Sequence, residues 1–176
     1  LCLAGGVALN CVANGKILKQ KLFKNLWIQP AAGDAGGSLG AALAIYYEYF
    51  KKKRITKKND SMKNSYLGPS FSNIEIKKFL DKKKTKYKFE NERNLISSVA
   101  SSLSKGKIIG WLQNKMEFGP RALGNRSIIS DPRSNEMQKN LNLKIKFRES
   151  FRPFAPIVLK EKVSKWFSFN GSSPYM

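Results

Sequence analysis

The sequence predicts an α/β fold, and three observations carry that expectation. Short apolar runs alternate with segments of helical apolar spacing along the whole chain. Twice, such a run ends in a glycine-rich turn that leads straight into a helical pattern: LCLAGG before VALNCVANGKILKQ, and LWIQP before AAGDAGGSLGAAL. A third run, KIIGWLQ, is rich in β-branched and aromatic residues and follows a well-delimited helix.

In order, residues 1–6 read as a strand closed by Gly5 and Gly6. The chain opens on this apolar run without an initiator Met, so the strand is expected to lack preceding partners and the chain to be a fragment. Val7, Leu9, Val12, Ile17 and Leu18 then have helix-compatible spacing. Strand, glycine pair and helix start let backbone N–H groups approach a phosphate closely, or simply make a tight turn. Residues 26–30 read as a short buried strand, followed by a glycine-rich loop and helix. Asp34 in that loop either caps the helix or projects a carboxylate into a ligand or metal site at the end of the strand. Residues 51–64, KKKRITKKNDSMKN, have the composition of a linker and lack the interleaved aromatics that stack bases, so a domain boundary falls here.

The second part opens with Ser72 and Glu75 spaced as a capping box, which predicts a helix over about 73–83. KYKFE at 86–90 alternates as a strand would. Leu95, Ile96, Val99 and Leu103 mark a helix over 94–105 that Gly106 ends, and residues 107–113 form the strongest strand, with Trp111 in the core. A further strand starts at Ser127, a turn follows at Asp131 to Arg133, and a helix covers about 134–143.

Composition narrows the function. The formal charge is +21, from 33 Lys and Arg against 12 Asp and Glu, which favours acidic partners without choosing among nucleotides, phosphorylated metabolites, nucleic acid and anionic membranes. Part of that excess is compositional lysine bias. Cys2 and Cys11 are too few for a disulfide framework; two buried thiols in a reducing, cytoplasmic setting are expected. No apolar run approaches the ~20 residues that cross a bilayer, and residues 1–9 carry no basic leader. Histidine is absent, which removes the commonest general base and metal ligand.

Arginine is distributed differently from lysine. Five of the seven arginines, Arg121, Arg126, Arg133, Arg148 and Arg152, lie in KMEFGPRALGNRSIISDPR and KIKFRESFRPFAP. Arginine's planar fork grips phosphate or carboxylate through two parallel hydrogen bonds, so clustering suggests an anion site. Lys144, Lys146 and Arg148 would share one face of an extended segment, with Phe147, Phe151 and Phe154 anchoring it. The competing reading pairs the arginines with Glu117, Asp131, Glu136 and Glu149. A basic nucleic-acid-binding module, the alternative function, fits less well because the arginines sit among Pro, Gly and Phe and not along one stripe.

MEFGPRALGNRSIISDPR followed by NLKIKFRESFRPFAP resembles the C-terminal region of the carbamoyltransferase family, nodulation-type and antibiotic-tailoring O-carbamoyltransferases among them. LAGGVALNCVANGKI and AAGDAGGSLGAAL resemble the end of that family's first domain, and YLGP at 66–69 its junction with the second. The resemblance implies the end of an actin-like (ASKHA-type) ATPase domain plus linker over 1–64, and an incomplete YrdC-like domain over 65–176. It implies an ATP-dependent enzyme: the YrdC-like part forms carbamoyl adenylate from carbamoyl phosphate and ATP, and the actin-like part transfers the carbamoyl group to a small-molecule hydroxyl acceptor. By resemblance, Arg121, Lys146 and Arg152 are the catalytic phosphate-contacting residues, Arg126 and Arg148 are second choices for the same phosphates, Gly5, Gly6 and Asn10 form the nucleotide loop, and Asp34 ligates a divalent metal, iron or magnesium. The metal-binding histidines and the base for the acceptor belong to an N-terminal half expected elsewhere in the same enzyme. This polypeptide alone is then catalytically incomplete, ending before further YrdC-like strands.

Overall fold

The structure, a computed structural model, describes residues 1–56, 58–169 and 171–176. It is a mixed α/β chain that divides into two compact units. Leu1–Pro69, Lys115–Asn125 and Ser173–Met176 form the first; Ser70–Asn114 and Arg126–Ser172 form the second.

In the first unit, strand β1 (Cys2–Leu3) pairs in parallel with β2 (Trp27–Ile28), Cys2 opposite Trp27 and Leu3 opposite Ile28. The predicted first helix is broken in two. A 3-10 turn, Gly6–Leu9, precedes helix α1 (Cys11–Gln20), because the Asn10 side chain accepts the Ala13 N–H and starts a new helix there. Helix α2 (Asp34–Ala44) follows β2 and widens into a π-helical turn, Ile45–Tyr49. Gly36 packs its backbone on the preceding turn: its N–H donates to the Ala31 carbonyl at 2.8 Å, and a Cβ there would lie 2.4 Å from that oxygen. The linker stretch 51–64, apart from Lys57, which lies outside the described residues, has no regular element before a 3-10 turn at Lys63–Ser65. Residues 115–125, assigned by the sequence to the second part, pack in the first unit. Gly68 N–H donates to the Met116 carbonyl and Met116 N–H to the Pro69 carbonyl, both at 2.9 Å, while Phe118 N–H donates to the Ser65 carbonyl at 2.6 Å. Ala8, Ala31 and Ala32 supply the buried apolar surface, with Ser65, Glu117 and Asn125 buried beside them in the same unit.

In the second unit, helix α3 (Asn73–Lys82) begins on the predicted capping box. The Ser72 hydroxyl accepts the Glu75 N–H at 3.3 Å and the Glu75 carboxylate accepts the Ser72 N–H at 2.8 Å. Helix α4 (Glu92–Ser104) ends as expected at Gly106: the Gly106 N–H donates to Leu103 and the Lys107 N–H to Ser102. Strand β3 (Ile109–Leu112) pairs antiparallel with β4 (Arg126–Ile129), Ile109 opposite Ile129 and Leu112 opposite Arg126.

Several expectations need correction. Residues 86–90 are not a strand; no neighbouring strand among the described residues offers them a ladder, and Tyr87 instead donates its hydroxyl to Asp81 at 3.0 Å. The helix expected over 134–143 is the short α5 (Met137–Asn140), continued by a π-helical turn, Leu141–Lys146. Lys144 and Lys146 are therefore on a wide helical turn and do not share a strand face with Arg148. The cause is the Asn142 carbonyl, which accepts the N–H groups of both Phe147 and Arg148 and closes a loop broader than an α-turn. Cys2 and Cys11 are exposed free thiols, not buried ones. Much large apolar surface is also exposed, including Val7, Ile74, Phe79 and Phe89.

Candidate functional site

The two units each carry a group of the candidate residues. In the first, the turn after β1 and the turn after β2 lie together. Gly5 N–H donates to the Ala32 carbonyl at 2.7 Å, so that donor is occupied within the protein. A Cβ at Gly5 or Gly6 would meet nothing within 4 Å, so open space adjoins both. The Asn10 amide oxygen caps α1, and the Asn14 side-chain amide donates to the Ala8 carbonyl at 2.7 Å. Asp34 is the first residue of α2. The cap itself is Gly33, and no side chain caps this helix, so the helix-capping reading of Asp34 does not hold. Its carboxylate is exposed in the first turn, where a negative charge complements the helix dipole. Among the described residues no group of three or more His, Cys, Asp or Glu is placed to hold a metal. Asp34 can supply one carboxylate to a metal, and the described residues supply no complete shell.

Arg121 belongs with these turns. Its side chain is half-buried, Nη2 donates to the Leu9 carbonyl at 2.9 Å, and Nε is buried with no hydrogen-bond partner among the described residues. The loop that presents it is held by Glu117, which the sequence offered only as an ion-pair partner. The buried carboxylate Oε1 accepts the Leu123 N–H at 2.7 Å and the Asn125 N–H at 2.8 Å, and the Asn125 amide donates to the Lys115 carbonyl at 2.6 Å. Tyr66 closes the far side by donating its hydroxyl to the Leu123 carbonyl at 2.7 Å. Two backbone N–H groups of this motif thus receive an internal carboxylate.

In the second unit the remaining arginines separate by partner. Arg133 clasps Asp131 through Nε, at 2.9 Å to each oxygen, and Nη2 at 2.5 Å; this and the Arg133 backbone N–H hold the Asp131 carboxyl down at about 2. Arg152 Nε donates to Glu149 at 2.8 Å. The Glu149 carboxyl lies below its ordinary range, first through its own backbone N–H and then through Arg152. For Arg133 and Arg152 the ion-pair reading is therefore the observed one. Arg126, in β4, is exposed.

Arg148 is held differently, by a residue the sequence reading missed. Asn142, with no exposed surface, accepts Arg148 Nε at 2.7 Å and donates its amide to the carbonyls of Ser150 at 3.0 Å and Arg152 at 2.9 Å. Gln138 donates to the carbonyls of Phe151 and Arg152, and the Arg148 guanidinium lies 4.9 Å from the Phe154 ring centre. Three successive carbonyls of the loop are thereby turned onto two amides. Lys144 and Lys146 are exposed and make no ion pair among the described residues. The only sequence signal for Asn142 was a polar residue inside an apolar helical pattern.

Among the described residues no helix is long and apolar enough to cross a membrane. Comparison with known proteins bears on the whole arrangement. A family model described as the carbamoyltransferase N-terminus matches residues 1–43, and one described as the carbamoyltransferase C-terminus matches residues 100–176; together they take in more than half the chain. The chain is 56% identical over its whole length to an uncharacterized protein of Synechocystis, and covers 29% of that protein. It is 43% identical to nodulation protein NolO of Bradyrhizobium diazoefficiens, over 95% of this chain and 30% of that one, and 36% identical to nodulation protein U of Rhizobium fredii, over 100% and 28%. The chain thus spans less than a third of the length of these relatives. Both terminal regions of one family, matched in their expected order, place the protein: the chain belongs to the carbamoyltransferase family.

Proposed function

We propose that this chain is part of an ATP-dependent O-carbamoyltransferase. Residues 1–64 are read as the end of an actin-like transfer domain and residues 65–176 as part of a YrdC-like domain that forms carbamoyl adenylate. Water cleaves carbamoyl phosphate to carbamate and phosphate, carbamate attacks the α-phosphorus of ATP with loss of pyrophosphate, and the acceptor hydroxyl displaces AMP and gives up its proton.

The observation that carries this reading is the loop over 144–152. Its carbonyls at Ser150, Phe151 and Arg152 are turned onto Asn142 and Gln138, while Lys144 and Lys146 are exposed without carboxylate partners among the described residues. Turning carbonyl oxygens away from a cationic surface leaves that surface free to neutralise phosphate and the charge that develops on cleavage and adenylation. Lys146 is assigned to phosphate, joined by the Nη groups of Arg152 and Arg148, whose Nε atoms are fixed by Glu149 and Asn142. Arg126 is a further candidate for the same anion. In the first unit, the open space at Gly5 and Gly6, with Asn10 beyond it, is assigned to the nucleotide of the transfer step. Asp34 would give one carboxylate to a divalent metal, whose chemistry would be to polarise a phosphoryl or carbamoyl oxygen; the other ligands would lie outside this chain.

The test is carbamoyl-phosphate-dependent pyrophosphate release from ATP by the full-length protein. Release that needs both substrates supports the reading; ATP turnover indifferent to carbamoyl phosphate would overturn it.

A further inference from the structure

We infer that the first unit carries a further binding site, a cavity between β2, α2, Arg54 and residues 60–62, which takes a small organic anion with an apolar body, an aromatic or branched carboxylate. Gly5, Gly6, Asn10 and Asp34 do not border this cavity, so it is not the space assigned to the nucleotide and the metal.

The cavity measures about 470 Å³, inside the range of about 300–1,000 Å³ usual for small-molecule sites. Two of its sides are apolar. Trp27, Ile28 and Pro30 come from β2 and the residues just after it, and Leu39 and Leu43 come from one face of α2, a turn apart. Trp27 and Leu43 keep 52% and 44% of their surface exposed, so apolar area remains for a ligand to remove from water. The third side belongs to the stretch whose composition is that of a linker, and here it is pinned. The Asp60 carboxylate accepts the Met62 N–H at 2.9 Å, the Asn64 N–H at 3.1 Å and the Tyr175 hydroxyl. A wall held in this way exists before a ligand arrives, which lowers the ordering cost of binding.

Two charged side chains border the cavity, and they differ in what they still offer. The Asp60 carboxylate is engaged by three donors. The Arg54 guanidinium makes no hydrogen bond or ion pair among the described residues. An uncommitted planar fork beside apolar walls selects a carboxylate carried on an apolar body. Among the described residues no glycine borders the cavity, so no close backbone cradle of the kind that holds a polyphosphate is built there; one guanidinium suits one negative charge.

Isothermal titration calorimetry of the full-length protein with sodium cinnamate tests this, and it does not depend on the proposed carbamoyl transfer. Cinnamate is expected to bind at one site with a dissociation constant below about 1 mM. Arg54→Gln and Leu43→Glu, both at exposed positions, are each expected to weaken it about tenfold or more. The first removes the charged hydrogen bonds, and the second sets a negative charge on the apolar wall. Neutral cinnamyl alcohol should bind about tenfold more weakly than cinnamate, and that gap should vanish in Arg54→Gln. Absence of cinnamate binding overturns the inference; it is the result expected if the rest of a longer polypeptide fills the cavity. Binding that neither Arg54→Gln nor Leu43→Glu weakens overturns it as well. So does equal weakening by Lys52→Gln, which does not border the cavity, since that assigns the binding to the overall positive charge.

Discussion

The buried carboxylate of Glu117 accepts the backbone N–H of Asn125 at 2.8 Å, eight residues on, and the same oxygen takes the Leu123 N–H at 2.7 Å. Glu117→Gln keeps one acceptor oxygen for the two donors but loses the charge that strengthens both bonds and places a buried NH2 where the second carboxylate oxygen stood, and Glu117→Ala leaves both donors without an acceptor. Each is expected to cost about 1–3 kcal/mol, Ala more than Gln, read as a fall in the urea midpoint. Stability equal to that of the unaltered protein in both would remove Glu117 from its place in this account.

Asn142 makes the corresponding prediction in the second unit. Asn142→Ala strands the Ser150 carbonyl and the Arg148 Nε, and is expected to lower stability by about 1–3 kcal/mol. Asn142→Asp loses both amide donors and should be no better tolerated. In the full-length protein either change should also weaken carbamoyl phosphate use, because the cationic loop loses its shape; normal kinetics in a destabilised variant would separate the two effects.

The pair Asp131 and Arg133 sets an acid response. The Asp131 carboxyl is held at about 2, below its ordinary 3.8, so its contribution to stability is complete above 3.8 and is lost as pH falls toward 2. In Arg133→Ala its carbon-13 titration midpoint is expected to move up toward 3.8. A midpoint that stays near 2 would assign the depression to something other than Arg133.

Tyr175 sets an alkaline one. Its hydroxyl donates to Asp60 and accepts the Asn64 N–H, and burial, followed by the Asp60 contact, pushes it up to about 12. The neutral phenol is the form folding favours, so this contribution is present below 10.0 and fades as pH rises toward 12. Tyrosinate absorbance should show one late-titrating tyrosine that Tyr175→Phe removes, and an unchanged titration curve would contradict the assignment.

The proposed division of labour separates Lys146 from Asp34. In the full-length protein Lys146→Ala should raise the KM for carbamoyl phosphate by roughly tenfold, the weight of one charged hydrogen bond to phosphate. Asp34→Asn should leave pyrophosphate release intact and depress the later carbamoyl transfer. The reverse pattern would interchange the two sites.

Local chemistry was legible where a few adjacent residues decide the outcome. Ser72 and Glu75 announce a helix start by spacing alone, and the strand and glycine turns before α1 and α2 could be read in the same way. Legibility failed where a distant partner decides. KYKFE has the alternation of a strand but no ladder beside it. The arginines were recognisable as a cluster, yet their fates depend on whether a neighbour is Asp131, a carbonyl 112 positions away, or a buried amide. Asn142 was passed over, and Glu117 was read only as an ion-pair partner, because burial of a polar side chain is a tertiary property that neither charge nor periodicity records.

The division of the chain has a consequence for how the molecule is made and cut. The backbone crosses from one unit to the other after Pro69, Asn114, Asn125 and Ser172. No single proteolytic nick or stop codon can therefore release either unit whole. The 115–125 loop must also await synthesis of the 45 residues that separate it from Pro69, so the first unit closes late, through contacts between segments far apart in the chain. Splitting this protein into independently folding halves would require reordering the chain, with residues 115–125 and 173–176 both joined to the segment that ends at residue 69.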